Sequence, residues 1–93
     1  MKQLKKVMKV NEDNKDKLID EFFNARDNHY PFIVLEIEAE GTREFIVIPR
    51  ESFADKLSFY QRSYTDDLVH VMNKNVSIKR FKALRTLSNI VFV

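Results

Sequence analysis

The sequence predicts an α+β fold in which two helices pack on a mainly antiparallel sheet centred on a β-hairpin at residues 31–49. Two observations predict this fold. Alternating apolar runs flank the only glycine of the chain, and amphipathic helical patterns lie on either side of these runs. Because 93 residues suffice for one hydrophobic core but hardly for a second, we expect residues 1–93 to form a single domain.

The elements expected before the hairpin are a strand and a helix. Residues 4–10 combine apolar and β-branched side chains in a short run, which predicts a first strand. Asn11 is the expected N-cap of a helix that ends near Asp27, since acidic residues follow Asn11 in the first turn. One side of this helix is apolar and should pack on the sheet. The apolar residues on that side are Leu18, Ile19, Phe22 and Phe23, with Ala25 at the margin.

The hairpin at residues 31–49 is expected to occupy the centre of the sheet. With Glu40 and Gly41 as its two turn residues, Glu38 pairs with Arg43 across the strands. In this register the base of the hairpin is apolar on both faces and its tip is polar, with the opposite charges of Glu38 and Arg43 near the turn. A strand pair that is apolar on both faces needs cover on both sides, so we expect it to be central.

The remainder of the chain begins with a second helix, from about Glu51 to Tyr64, which has the clearest apolar stripe in the sequence. Residues 65–74 fit either a further helical turn or a strand. Residues 76–88 favour a strand, with a helix as the alternative, because apolar residues recur there at both two-residue and three-residue spacing. The apolar run 90–93 predicts a short buried strand.

Composition and charge restrict the classes of function. The net charge is only +2, but residues 11–70 contain 14 acidic and 7 basic residues, while 1–10 and 71–93 contain bases and no acids. The chain has no cysteine, which excludes disulfides and cysteine-based zinc sites and favours the reducing cytoplasm. No stretch approaches the roughly 20 apolar residues of a membrane-spanning helix, so we expect no membrane contact.

Catalytic and metal sites are not expected. A single glycine excludes the glycine-rich loops that bind phosphates. His29 and His70 belong to no recognisable constellation of nucleophile and base. Neither histidine has metal-ligand spacing to the Asp66–Asp67 pair, which is better explained as a helix cap. We therefore expect a protein that is not an enzyme and has no cofactor and no metal.

An aromatic residue on the polar side of the second helix predicts a protein-binding site. Phe59 lies between Asp55 and Arg62 at helical spacing, a composition found at interface hot spots. The alternative for Phe59 is that it packs beneath the C-terminal segment. The alternative for the acidic residues of the hairpin tip is that they are only the solvent-exposed end of a sheet. The full set of predicted partner-binding residues is Phe59, Asp55, Arg62, Tyr30, Glu36, Glu38 and Glu40.

The basic ends of the chain predict an alternative site, for nucleic acid. Lys79, Arg80 and Lys82 flank Phe81, and single-strand binding combines phosphate contacts with a stacking aromatic; the alternative is that Phe81 belongs to the core. The same lysines could instead protect the edges of terminal strands, and an open edge could pair with a second copy in a homodimer. The candidate nucleic-acid-binding residues are Lys79, Arg80, Lys82, Arg85, Lys5, Lys6 and Lys9.

In size and composition the chain resembles the small, Lys- and Asn-rich, cysteine-free proteins encoded by bacteriophages and other mobile elements of low-GC bacteria. The resemblance implies a compact binding or inhibitory protein rather than an enzyme. The sequence as a whole therefore predicts a small non-enzymatic binding protein, an inhibitor or accessory factor that acts through protein–protein contacts. The alternative is an accessory protein that binds nucleic acid through its basic ends.

Overall fold

The computed structural model describes residues 14–87, in which two helices pack on an antiparallel sheet. The predicted α+β fold, built around the 31–49 hairpin, is confirmed. The predicted strands at 4–10 and 90–93 lie outside the described residues. The elements in chain order are α1 (Lys15–Asp27), β1 (Phe32–Ala39), β2 (Thr42–Pro49), a 3-10 helix (Arg50–Ser52), α2 (Phe53–Ser63), β3 (Val69–His70) and β4 (Asn73–Leu84).

Helix α1 begins later than the sequence predicts. Asn14, not Asn11, is its N-cap, because the Asn14 side chain accepts a hydrogen bond of 3.0 Å from the backbone N–H of Lys17. The apolar side of α1 is also rotated from the predicted one. Ala25 is buried whereas Phe23 is 42% exposed, so Phe22 alone of the two adjacent phenylalanines reaches the core.

The β1–β2 hairpin has the predicted register, with Glu38 opposite Arg43. Its two turn residues, Glu40 and Gly41, both have positive φ, of 54° and 83°, as the turns that favour the strand twist require. Among the described residues the strands are ordered β2-β1-β4-β3, so β1 and β4 lie inside the described sheet and β2 lies at its edge. The hairpin therefore forms one half of the described sheet and joins the other half through β1, which pairs with β4.

Residues 76–84 belong to strand β4, so this part of the predicted 76–88 segment is a strand and not the alternative helix. It pairs with β1 along its length, with a bulge where Glu36 and Ile37 lie opposite Arg80 and Ile78, leaving Lys79 as the extra residue. Residues 65–74 are neither a helical turn nor one strand. They form a turn, the two-residue strand β3 and a tight connection into β4.

The core lies between the sheet and the two helices. Helix α1 contacts β4 and α2, and α2 also contacts β2. Phe22 joins the two helices, because its ring meets Phe53 of α2 edge-on at 5.8 Å and lies 6.4 Å from Tyr60 of α2. Burial of this kind is the main stabilising term of the fold. The buried core residues are Leu18, Phe22, Ala25, Ile33, Leu35, Ile37, Ile48, Phe53, Tyr60, Tyr64, Leu68, Ile78 and Ala83.

Arg50, in the 3-10 helix, links the carboxyl end of α1 to the segment that leads into α2. Its guanidinium donates to the carbonyl oxygens of Ala25 (3.3 Å), Tyr30 (3.3 Å) and Arg26 (3.2 Å). A cation at this end of a helix satisfies carbonyl groups that have no partner within the helix. The contact therefore fixes α1 relative to α2, which begins three residues after Arg50.

Candidate functional site

Phe59 is partly exposed on the outer side of α2. Its side chain is 38% exposed, with one edge against Tyr60 at 5.1 Å and the Lys56 ammonium 5.6 Å from the ring centroid. Asp55 and Arg62 are exposed on the same helix, and Arg62 donates to Ser58 Oγ at 2.8 Å. The predicted aromatic residue ringed by charges is thus present on the surface of α2.

The structure separates the other predicted partner-binding residues from Phe59. Ile33, Leu35 and Ile37 of β1 face the helices, so the alternate residues Glu36 and Glu38 face the opposite side of the sheet. Tyr30 is half-buried beneath the Arg85 guanidinium, which lies 4.1 Å from its ring centroid. Glu40 is exposed at the hairpin tip and accepts a hydrogen bond of 3.2 Å from Asn73. One continuous surface does not contain the whole predicted set.

The sheet face opposite the helices, here called the charged face, holds an ion-pair network across three strands. Glu36 is only 6% exposed and accepts from Arg80 Nε at 2.7 Å, and Arg43 Nη1 lies 3.3 Å from its other oxygen. Arg43 also bonds Glu38 at 3.1 Å, and Lys79 lies 3.9 Å from Glu38. The hydrogen bond from Arg80 is the largest cause that lowers the pKa of Glu36 below its usual value.

On the charged face, residues predicted for a protein partner form ion pairs with residues predicted for nucleic acid. Arg80 and Lys79, predicted for nucleic acid, contact Glu36 and Glu38, which were predicted for a protein partner. Phe81 is partly buried and packs against the helix-side core, which agrees with the core alternative for this residue.

Two other residues predicted to bind nucleic acid, Arg85 and Lys82, lie against other parts of the fold. Arg85 donates to the carbonyl of Asn28 at 3.2 Å, and Lys82 is half-buried opposite Val34. Lys5, Lys6 and Lys9 lie outside the described residues.

A groove lies between α1 and α2. Its volume is about 270 Å³, and it is open to solvent. The Arg26 guanidinium lies 4.9 Å from the Phe23 ring centroid on the α1 wall. Among the described residues, Arg26 is also the one charged side chain that lines the groove. The lining residues are Phe22, Phe23, Arg26, Phe53, Ala54, Leu57, Ser58 and Gln61.

One feature of the sequence, the adjacent pair Phe22 and Phe23, indicates one wall of this groove. Two adjacent phenylalanines on a helix lie about 100° apart, so a narrow core contact buries one and leaves the other at its margin. Phe23 is at this margin and forms part of the groove wall. Phe59 is not part of the wall, because the same angular step places it on the side of α2 away from Ala54 and Gln61.

Residues 14–87 include a further cavity but no cluster of metal ligands and no membrane-spanning helix. A second cavity, of about 240 Å³, is lined by Asn14, Asp16, Asp66 and Asp67. No three His, Cys, Asp or Glu side chains of the described region are arranged to hold a metal ion. None of its helices is long and apolar enough to cross a membrane. Comparison with protein-family models, with curated proteins and with solved structures found no match for the chain.

Proposed function

We propose that the chain is a non-catalytic binding protein that recognises another protein through the solvent-facing side of α1 and α2. This surface, here called the helix surface, comprises the groove, with Phe23 in its wall, and Phe59 on the side of α2 away from Ala54 and Gln61. The observation that carries the proposal is an open apolar groove on a layer that also exposes an aromatic ring from each helix. Aromatic residues of this kind dominate the energetics of protein interfaces.

Each exposed ring of the helix surface has a cation from the same helix above it. Arg26 lies over Phe23 and Lys56 lies over Phe59, three residues away in each case. Residues three apart on a helix are neighbours, so these contacts form within a single helix. These contacts restrict the motion of the rings before a partner binds. Less conformational entropy is therefore lost on binding.

The two histidines support a non-catalytic function, because both take part in local structural contacts. His29 Nδ1 is 3.2 Å from Arg50, next to the end of α1. His70 Nδ1 accepts from the backbone of Met72 at 3.0 Å, and its ring meets Tyr64 at 5.1 Å. The finer assignment, a cytoplasmic inhibitor or accessory factor of phage or mobile-element type, rests on size and on the cysteine-free composition.

The test is capture of partners from a lysate of the cells that encode the protein, with matched variants. We expect Phe23→Ala and Phe59→Ala to reduce recovery of the same partner severalfold. Each change should lower the melting temperature by only about 5 °C, the equivalent of about 1 kcal/mol for a domain of this size. Met72→Ala is the control, because Met72 is 84% exposed and lies in the connection between β3 and β4, outside both helices and the groove lining. Equal recovery by all three variants would contradict the proposal.

A second candidate, nucleic-acid binding, is favoured by one observation on the charged face. Arg43, Lys79, Arg80 and Lys82 outnumber the carboxylates Glu36 and Glu38 there. If this excess binds phosphates, affinity for single-stranded RNA or DNA should fall steeply as the salt concentration rises. Binding that is absent at low salt, or indifferent to salt, would exclude this candidate.

A further inference from the structure

We infer that the groove between α1 and α2 accepts one large apolar side chain of a partner peptide that carries a carboxylate close to that side chain. The inference deepens the proposed function and rests on it, since it specifies the chemistry of the partner at the helix surface. It commits to a peptide segment as the occupant of the groove.

The size and lining of the groove favour a single side chain. About 270 Å³ lies below the range of about 300–1,000 Å³ that is usual for small-molecule sites. The floor is formed by core residues, since Phe22 and Phe53 are buried and Leu57 is half-buried. An apolar side chain placed there would cover existing apolar surface without separating the two helices.

The charge of the lining selects the neighbouring residue of the ligand. Arg26 is the one charged lining residue of the described chain, and no carboxylate lines the groove with it. Phe23 holds the guanidinium at the groove wall. Arg26 Nε also contacts Asp27 at 3.0 Å, but both side chains are more than half exposed, so a ligand carboxylate can replace this contact. Guanidinium groups bind carboxylates through two parallel hydrogen bonds.

The α2 side of the groove is mostly apolar but contains two polar side chains. Ser58 and Gln61 of α2 supply a hydroxyl and an amide that can bond the backbone of an inserted peptide. Lys15 of α1 donates to the carbonyl of Gln61 at 3.0 Å, which links the two helices and adds a second cation near the groove. The charged group in the lining, Arg26, and the nearby Lys15 are both cations, so the groove itself favours an acidic peptide over a basic one.

The experiment is selection of a displayed library of random linear peptides against the full chain. We expect the selected peptides to share a Leu, Ile, Met or Phe with an Asp or Glu within one or two positions. Ala54→Leu should weaken their binding at least tenfold, because the added side chain fills the groove. Arg26→Gln should weaken it by roughly threefold or more, the effect of removing an exposed ion pair.

Two controls separate the groove from the rest of the surface. Lys17→Gln removes an exposed cation from α1 outside the groove, and Met72→Ala removes an apolar side chain elsewhere; neither should change the affinity. Failure to select peptides, a basic consensus, or binding unchanged by Ala54→Leu would overturn the inference. Concentration-dependent self-association that Ala54→Leu abolishes would also overturn it, since a second copy would then be the occupant.

The outcome for the groove is distinguishable from the outcome for the proposed function. Lysate capture that depends on Phe59 but not on Ala54 would leave the helix surface as a binding site and refute the groove as its anchor point. Selected peptides that require Arg26, without any captured protein, would support the ligand chemistry and refute the proposed function.

Discussion

At the scale of single residues, Glu36 shows how one buried charge links stability to pH. Its pKa is lowered from the ordinary 4.5, chiefly by the hydrogen bond from Arg80 and also by Arg43. A carboxylate whose pKa is lower in the folded state stabilises that state fully above its unfolded-state pKa. The stabilisation is lost as the pH falls from about 4.5 through the folded-state pKa.

We therefore expect Glu36→Gln to remove part of the acid sensitivity of the protein. Urea unfolding between pH 3 and 7 should show a free energy of unfolding that falls less steeply below about pH 5 than in wild type. Glu44→Gln is the control, because Glu44 is exposed on the edge strand β2. Parallel curves for wild type and Glu36→Gln would contradict the assignment of Glu36 as a linked group.

At the scale of elements, the hairpin turn depends on the positive φ of Gly41. At φ 83° an added Cβ would meet no atom within 4 Å, so any penalty for a side chain there comes from the backbone conformation. Gly41→Ala should lower the free energy of unfolding by about 1 kcal/mol. Gly41→Asn should lose less, because asparagine tolerates this region better. Urea unfolding measures both, and an alanine variant as stable as wild type would refute the conformational explanation.

Helix α2 offers the converse test, a change that adds contacts. Ala54 is exposed on the groove wall, and leucine has nearly the helix propensity of alanine. Ala54→Leu should cover part of the apolar floor and raise the melting temperature by about 2–5 °C, equivalent to about 0.5 kcal/mol or more. Ala54→Gln is the polar control of similar length. A lower melting temperature for the leucine variant would mean that the groove cannot hold the added side chain.

The bulge in β4 explains why its sequence was ambiguous. Ile78 and Phe81 both contact the core although they are three positions apart, a spacing that suits one face of a helix and not a regular strand. The extra residue Lys79 restores the alternation after Ile78. A period-of-two analysis cannot detect this, because the bulge is defined by pairing with β1.

At the scale of the whole molecule, local sequence was sufficient for the fold but not for the site. The hairpin register follows from Gly41 and alternating side chains, and the first half of β1 has the predicted faces. Which strand joins the free side of β1 depends on long-range pairing, so the position of β4 between β1 and β3 was not predictable from local sequence. The same pairing places Arg80 beside Glu36, which neutralises residues that appeared independent along the chain.

The groove could not be predicted from local sequence, because it depends on how two helices pack. Phe23 fits a core position in the sequence pattern, and only the observed orientation of α1 shows that it is exposed. Phe59 was recognisable because it lies off the apolar stripe of its own helix. Its partial exposure agrees with that interpretation.

The most direct measurement for the central claim is a nuclear magnetic resonance map of the isotope-labelled chain with the captured partner. The helix surface is expected to carry the binding site, so the backbone amides of α1 and α2 that surround the groove should show the largest shift changes. The amides of β1 and β4 near Glu36 and Arg80 should change little. The opposite pattern, with the largest changes on the charged face and none along the helices, would contradict the account.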